Sequence, residues 1–246
     1  QGLLRTNLLT LFTKSKQKIS LGSQFIGRFF FNKVITRDKS ERISSEYYEL
    51  ARVLGFNINH FQPRFTLDHS IVLDSILPSN IKQSSYFVIF PFTTKFKKHW
   101  NPPYWEDLIK KITVDTGLKC ILLGSGLNKN QKKLAHMLSM HSTYSLIDQT
   151  DLLEAATIIS KAKFCIGVDT GLTHISVSMG KPTMAIFLST CPYLNPIKKN
   201  TKIIWSVKGN KRQYRSSDFD GLHTPVDEVT VSSVLEELHQ LVKLSD

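Results

Sequence analysis

Two short stretches concentrate residue types that can handle an anion. The first is Asp169-Thr170-Gly171, with His174 three residues further on. It follows an apolar run, Phe164 to Val168, and opens a segment of small and apolar residues that ends at Gly180-Lys181-Pro182. An apolar run that stops at a carboxylate, a hydroxyl and a glycine reads as a strand feeding a helix. The first turn of such a helix has amides without intrahelical acceptors and carries partial positive charge, which suits phosphate. Gly171 permits close backbone approach, Thr170 adds a hydroxyl donor, and His174, one turn further, can face the same anion. The plain alternative is Asp169 as an ordinary N-cap and His174 as a hydrogen-bonded core histidine. The Asp-Thr-Gly of aspartic proteases belongs to a β-rich setting, whereas here a helix is expected to follow Asp169-Thr170-Gly171.

The second stretch runs from Phe90 to Trp100 and reads Phe-Pro-Phe-Thr-Thr-Lys-Phe-Lys-Lys-His-Trp. Again a strand-like run ends in hydroxyls and cations. Thr93 and Thr94 can donate to phosphate oxygens, and Lys98 can supply a point charge. Taken alone it reads equally well as a solvated basic loop; two such loops in one fold strengthen each other. Gly124-Ser125-Gly126 ends a third apolar run and is weaker evidence.

The elements that must carry these loops follow from periodicity. Strands are expected at Phe87 to Phe90, Lys119 to Leu123, Phe164 to Val168, Thr183 to Phe187 and Ile203 to Val207. Between them, helices are expected on Tyr104, Trp105, Leu108, Ile109 and Ile112 after Pro102-Pro103, on Gln131 to Leu138, on Leu152 to Ser160, and after Asp169. An amphipathic helix closes the chain on Val234, Leu238, Leu241 and Val242. Strands alternating with helices predict a parallel, doubly wound α/β sheet, in which ligands sit outside the carboxyl ends of the strands. Residues 1 to about 66 read as mostly helical, with Ile43, Tyr47, Leu50, Ala51 and Leu54 on one face and Gly55 as the stop. Leu67 to Ser85, with Pro78, reads as a linker.

The 246 residues are 41% hydrophobic and 21% charged, an ordinary globular balance. No apolar run is long enough to span a bilayer, and the first residues do not have the pattern of a signal peptide. The chain opens on Gln1, so it is expected to be processed or a piece of something longer. Cys120, Cys165 and Cys191 have no metal-ligand spacing, and the first two lie in apolar runs as small core residues of a reducing compartment. The net charge is +12, and residues 1 to 66 hold 11 Lys/Arg against 4 Asp/Glu. Such a surplus suits nucleic acid, a phosphorylated small molecule or an acidic membrane surface, or is simply a Lys-rich exterior. No recognition motif for nucleic acid accompanies it.

Asp169, Thr170, Gly171, His174, Gly180 and Pro182 match in order the Asp-Thr-Gly-x-x-His, small helix and Gly-x-Pro of a known family. That family is the lipopolysaccharide heptosyltransferases, glycosyltransferase family 9, which the chain resembles over nearly its whole length. Thr93, Thr94, Lys98, His99 and Trp100 look most like the heptosyltransferase I branch; Gln1-Gly2-Leu3 and Glu41-Arg42 also look like family positions. The resemblance implies a GT-B type α/β fold with two Rossmann-like domains, the N-terminal one incomplete. Residues 1–80 would be the remainder of the acceptor-side domain, 81–230 the nucleotide-sugar domain and 231–246 a C-terminal helix. It implies transfer of heptose from ADP-L-glycero-β-D-manno-heptose to the Kdo of a Kdo–lipid A type acceptor, with neither metal nor cofactor. Thr93, Thr94 and Lys98 would hold the diphosphate, with Asp169, Thr170 and Gly171 nearby and His174 supporting that wall. The family's expected base, an Asp, matches a point before residue 1. The resemblance further implies a cytoplasmic protein, with the anionic inner-membrane surface as a candidate partner and no nucleic acid.

Two departures stand out. Residues 126–133, GLNKNQKK, lack the carboxylate that the family usually directs at the nucleoside. Leu188-Ser189-Thr190-Cys191-Pro192 stands where the family usually has Gly-Pro-Thr-Asp-Pro. A later heptosyltransferase of the same family, and an ADP-sugar-binding fragment without transfer activity, are the alternatives.

Overall fold

The computed structural model describes residues 4–21, 30–35, 45–57, 65, 67, 76–82, 84–139, 143–190, 200–209 and 223–243. The chain forms two compact units, Gln1–Pro63 and Arg64–Asp246. Gln1-Gly2-Leu3, Glu41-Arg42, Cys191 and most of the 67–75 stretch lie outside the described residues.

The first unit contains α1 (Leu4–Leu11), β1 (Ile19–Leu21), β2 (Lys33–Ile35) and α2 (Ser45–Val53). β1 and β2 pair in parallel, with Ile19 opposite Lys33. Periodicity predicted a mostly helical segment here and named neither strand; three-residue strands are too short to show a period of two. α2 ends as Gly55 predicts. Gly55 takes φ +83°, and the Phe56 amide returns to the Ala51 carbonyl at 2.9 Å, a left-handed helix stop. On its face Ala51 is buried, whereas Tyr47 and Leu54 are about half exposed.

Among the described residues the second unit holds a seven-stranded sheet with the order β5-β4-β3-β6-β7-β8-β9, every pairing parallel. Its elements are α3 (Ser79–Lys82), β3 (Tyr86–Phe90), α4 (Pro102–Thr116), β4 (Lys119–Leu122), α5 (Lys129–Ser139) and β5 (Thr143–Ser145). There follow α6 (Leu152–Lys161), β6 (Cys165–Val168), α7 (Gly171–Ser178), β7 (Thr183–Phe187), β8 (Thr201–Ser206), β9 (His223–Val226) and α8 (Val231–Lys243). The central strands β3, β6 and β7 are buried at every residue, so they read as unbroken apolar runs instead of alternating ones. One face packs Phe87, Ile89, Cys120, Leu122, Ile166 and Met184 with Trp105, Leu108 and Ile109 of α4, Leu138 of α5 and Leu238 of α8. The other packs Val88, Ile121 and Cys165 with Ile158 of α6, Ile81 of α3 and Leu77 just before α3. The 76–82 part of the stretch read as a linker is thus built into the second unit.

Local signals explain the element ends. Pro102 and Pro103 occupy the first turn of α4, and Gly117 closes it at φ +69°. Asp151 caps α6 in a reciprocal capping box with Glu154. Lys202 on β8 reaches Glu237 on α8 at 3.1 Å, an ion pair whose side chains are about nine-tenths buried. Burial pushes the Cys120 thiol well up and the Cys165 thiol to about 12, so both are inert core groups at neutral pH. Among the described residues no helix is long and apolar enough to cross a membrane.

The winding of the sheet decides where a ligand can sit. From β3 the chain steps outward to β4 and β5; from β6 it steps the other way through β7, β8 and β9. β3 and β6 are neighbours, so the loops leaving their carboxyl ends diverge and open a crevice between them, the switch point of such a sheet.

Candidate functional site

The loops after β3, β6 and β7 meet at that switch point. After β3, residues Phe96–Lys98 form one 3₁₀ turn that carries Lys98. After β6, Asp169 and Thr170 lead into α7. α7 approaches β6 closely because residue 167 is Gly: a Cβ there would collide with Thr173 Oγ1 and with the Phe90 ring. Thr173 uses the space to donate its hydroxyl to the Val168 carbonyl at 2.7 Å, which fixes the helix entry.

Asp169 is the hub. Its carboxylate is buried, with 8% of the side chain exposed. Oδ2 accepts from Lys98 Nζ at 2.5 Å and from Thr190 Oγ1 at 2.5 Å; Oδ1 accepts from His174 Nε2 at 3.2 Å. Burial pushes this carboxyl up. The hydrogen bonds from His174, Lys98 and Thr190, with the Lys98 charge, outweigh burial and hold it well below the usual carboxylate range. A carboxylate that is ionised at all working pH values and already accepts three donors is a poor general base. It is suited to fixing the Lys98 ammonium.

Thr170 is the N-cap of α7 in an extended conformation, and its side chain makes no capping bond. The hydroxyl is therefore not committed to the helix. Gly171 is exposed, with open space where a Cβ would stand. The first-turn amides of α7 and the Lys98 ammonium thus border the same mouth, an arrangement that can bind a phosphate group.

The remaining residues expected at the site divide. Thr93 is buried, and its backbone carbonyl anchors the loop, accepting from His99 Nε2 and Gln131 Nε2 at 2.8 Å each. Thr94 is exposed. It lines a cavity of about 610 Å³ with Phe96, Lys97, His99, Asn128 and Gln131, between the starts of α4 and α5. Trp100 is a core residue, its indole N–H on the Val229 carbonyl at 2.8 Å and its ring edge-on to Trp105. The structure therefore brings Lys98, Asp169 and His174 into contact, sets Thr170 and Gly171 beside them, and gives Thr93 a role in holding the loop. A cavity of about 680 Å³ at the amino ends of the strands, between Phe164, Pro182 and Leu238, is mainly apolar and distant from this cluster.

Sequence reasoning missed two participants. Thr190 stands three residues after β7, the next strand in the sheet; the signal was a hydroxyl at the carboxyl end of a strand adjoining β6. Asp148 follows β5 in a left-handed conformation, φ +56°, and accepts the Gly126 amide at 2.6 Å. A carboxylate thus stands at the Gly124-Ser125-Gly126 loop, although the loop's own sequence has none.

The family model for glycosyltransferase family 9 (heptosyltransferase) matches residues 1–222. Lipopolysaccharide heptosyltransferase 1 of Escherichia coli O18:K1:H7 is 23% identical over 187 residues, 76% of this chain and 56% of the relative. Lipooligosaccharide heptosyltransferase 2 of Haemophilus ducreyi is 30% identical over 155 residues, 59% of this chain and 44% of the relative. The chain spans about half the length of the curated relatives it matches. Among solved structures, E. coli heptosyltransferase WaaC with ADP superposes with a TM-score of 0.68 at 21% identity, covering 98% of this chain and 71% of that one. The same enzyme with ADP-2-deoxy-2-fluoro heptose gives 0.66 at 21% identity, covering 98% and 70%. A family 9 glycosyl transferase of Veillonella parvula gives 0.73 at 14% identity, covering 100% and 72%. The fold is the GT-B type α/β fold of these neighbours. With its motif order, its switch-point cluster and a family match that leaves out only the last residues, this chain belongs to glycosyltransferase family 9, the heptosyltransferases.

Proposed function

We propose that the chain acts in lipopolysaccharide assembly as a heptosyltransferase that uses ADP-L-glycero-β-D-manno-heptose as donor. The observation that carries this reading is the Lys98 ammonium, held by an ionised, buried Asp169 beside the exposed first turn of α7. In transfer, the oxygen of an acceptor hydroxyl bonds to the sugar's anomeric carbon while its proton passes to a general base; the bond from that carbon to the diphosphate oxygen breaks, and negative charge grows on the departing ADP. In this reading Lys98, the first-turn amides of α7 and the Thr170 hydroxyl oppose that charge, and Thr94, exposed on the same loop as Lys98, adds a further hydroxyl. Loss of one such donor typically costs roughly 3 kcal/mol of barrier. Thr93 contributes by anchoring the loop, and His174 by holding Asp169. The ADP and ADP-heptose analogue carried by the solved WaaC relative support the donor class.

In this reading residues 81–230 are the donor-binding part and 231–246 its closing helix; the acceptor side is drawn from residues 1–63, because Leu77 and Ile81 pack into the second unit. The cation surplus of residues 1 to 66 suits an anionic Kdo and phosphate-bearing acceptor at the cytoplasmic face of a membrane. The Thr93-Thr94 and Lys98-His99-Trp100 pattern favours addition of the first heptose to Kdo. A second reading, addition of the next heptose, is favoured by the 30% identity to the Haemophilus type 2 enzyme.

Titration calorimetry of the chain with ADP and with ADP-heptose tests the donor reading. Both are expected to bind, and Lys98→Ala is expected to weaken both at least tenfold. A folded chain with no affinity for either overturns the reading. Supplying Kdo–lipid A or its monoheptosyl product as acceptor in a transfer assay separates the two acceptor readings.

A further inference from the structure

We infer that Thr190 is a positioning residue for donor binding, acting through Asp169; this rests on the reading of Lys98 as a diphosphate ligand. Thr190 stands at the carboxyl end of β7, and its hydroxyl donates to Asp169 Oδ2, the same oxygen that Lys98 contacts. The three loops that meet at the site leave β3, β6 and β7, three strands adjacent in the sheet. The Asp169 carboxylate joins them: Lys98 comes from the first, Asp169 and His174 from the second, Thr190 from the third.

The electrostatics give Thr190 a definite task. An ammonium bound to a buried carboxylate is neutralised by it, and a diphosphate must compete for the same ammonium N–H groups. A carboxylate that shares its charge with other donors holds the ammonium less tightly. Thr190 and His174 are those donors, one on each oxygen. With both in place Asp169 keeps its position while Lys98 retains donors for phosphate. Without the Thr190 hydroxyl, Oδ2 has Lys98 as its one remaining partner of the three, so the ion pair tightens. The loop after β7 also loses its tie to the site.

Thr190→Val removes the hydroxyl and keeps the volume; Thr190→Ser restores the hydroxyl. The expected result is ADP affinity weakened about tenfold in the Val variant and returned to within about twofold of the original by Ser. In a transfer assay the loss should fall on the KM for the donor more than on kcat. ADP bound equally by the Val variant and the unmodified chain overturns the inference, as does a Ser variant as weak as Val. Failure of the unmodified chain to bind ADP overturns the donor reading instead. A ligand-free double-mutant cycle, Thr190→Val with Asp169→Asn by urea unfolding, then decides the link itself: additive losses overturn it, and a coupling between the two sites upholds it.

Discussion

Asp169→Asn is the sharpest perturbation of the cluster, because it removes one charge and changes almost no volume. In the native chain the carboxylate accepts from Lys98 and Thr190 at 2.5 Å and from His174 at 3.2 Å, with 8% of its side chain exposed. An amide has one acceptor oxygen and an NH₂ group that must point at one of these donors. The Lys98 ammonium, 17% exposed, would be left without its counter-charge. Breaking one side of a buried pair costs about 3–5 kcal/mol, and the hydrogen bonds that Asn retains bring the expectation to about 3 kcal/mol. For a unit of this size that is roughly 6–12 °C of melting temperature. The pH dependence has a fixed sign. The folded carboxyl lies below its unfolded value of about 3.9, so its contribution is complete above that value and is lost as pH falls toward the folded one. Urea unfolding at pH 7 should show the full difference between the two proteins, and at pH 3 a smaller one. Asp107→Asn is the control. Its Lys111 pair is 2.8 Å long, but both side chains are almost half exposed, so no measurable loss is expected. Equal losses at positions 169 and 107, or a difference at position 169 that does not shrink in acid, would refute the argument from burial.

Gly167→Ala should destabilise the chain by about 1–3 kcal/mol in thermal unfolding, because the new methyl collides with Thr173 and Phe90; a neutral result would show that α7 can lift off β6 freely. Glu237→Gln leaves Lys202 buried without its counter-charge and should cost about 3 kcal/mol in urea unfolding, a loss that Lys202→Met in the same chain should partly relieve. Trp100→Phe removes the buried donor to the Val229 carbonyl and should cost about 1–3 kcal/mol, read as a lower urea midpoint with an unchanged slope.

What the sequence disclosed and what it hid follow one physical division. The inner strands β3, β6 and β7 are buried on both sides, so burial writes itself into the sequence as apolar runs, and those runs locate the loops that carry Lys98 and Asp169. The two strands of the sheet that periodicity did not name are its two edges, β5 and β9. Thr143-Tyr144-Ser145 is only half buried, and His223-Thr224-Pro225-Val226 carries a proline that an edge tolerates and a central strand would not. The site divides in the same way. Asp169, Thr170, Gly171 and His174 are close in sequence, so their grouping was visible as a motif. Lys98 and Thr190 reach Asp169 from 71 and 21 residues away, and only the order of strands sets those distances. Strand order follows from the winding rule once a switch point is assumed, and in the sheet observed the loop after β3 lies beside the loop after β6. The loop after β7 lies beside them in the same order. Any hydroxyl or charge at the carboxyl end of β7 was therefore within reach of Asp169 on topology alone. Thr190 is the residue that the departure from the usual Gly-Pro-Thr-Asp-Pro drew attention away from. Its hydroxyl nonetheless ties the loop after β7 to the site.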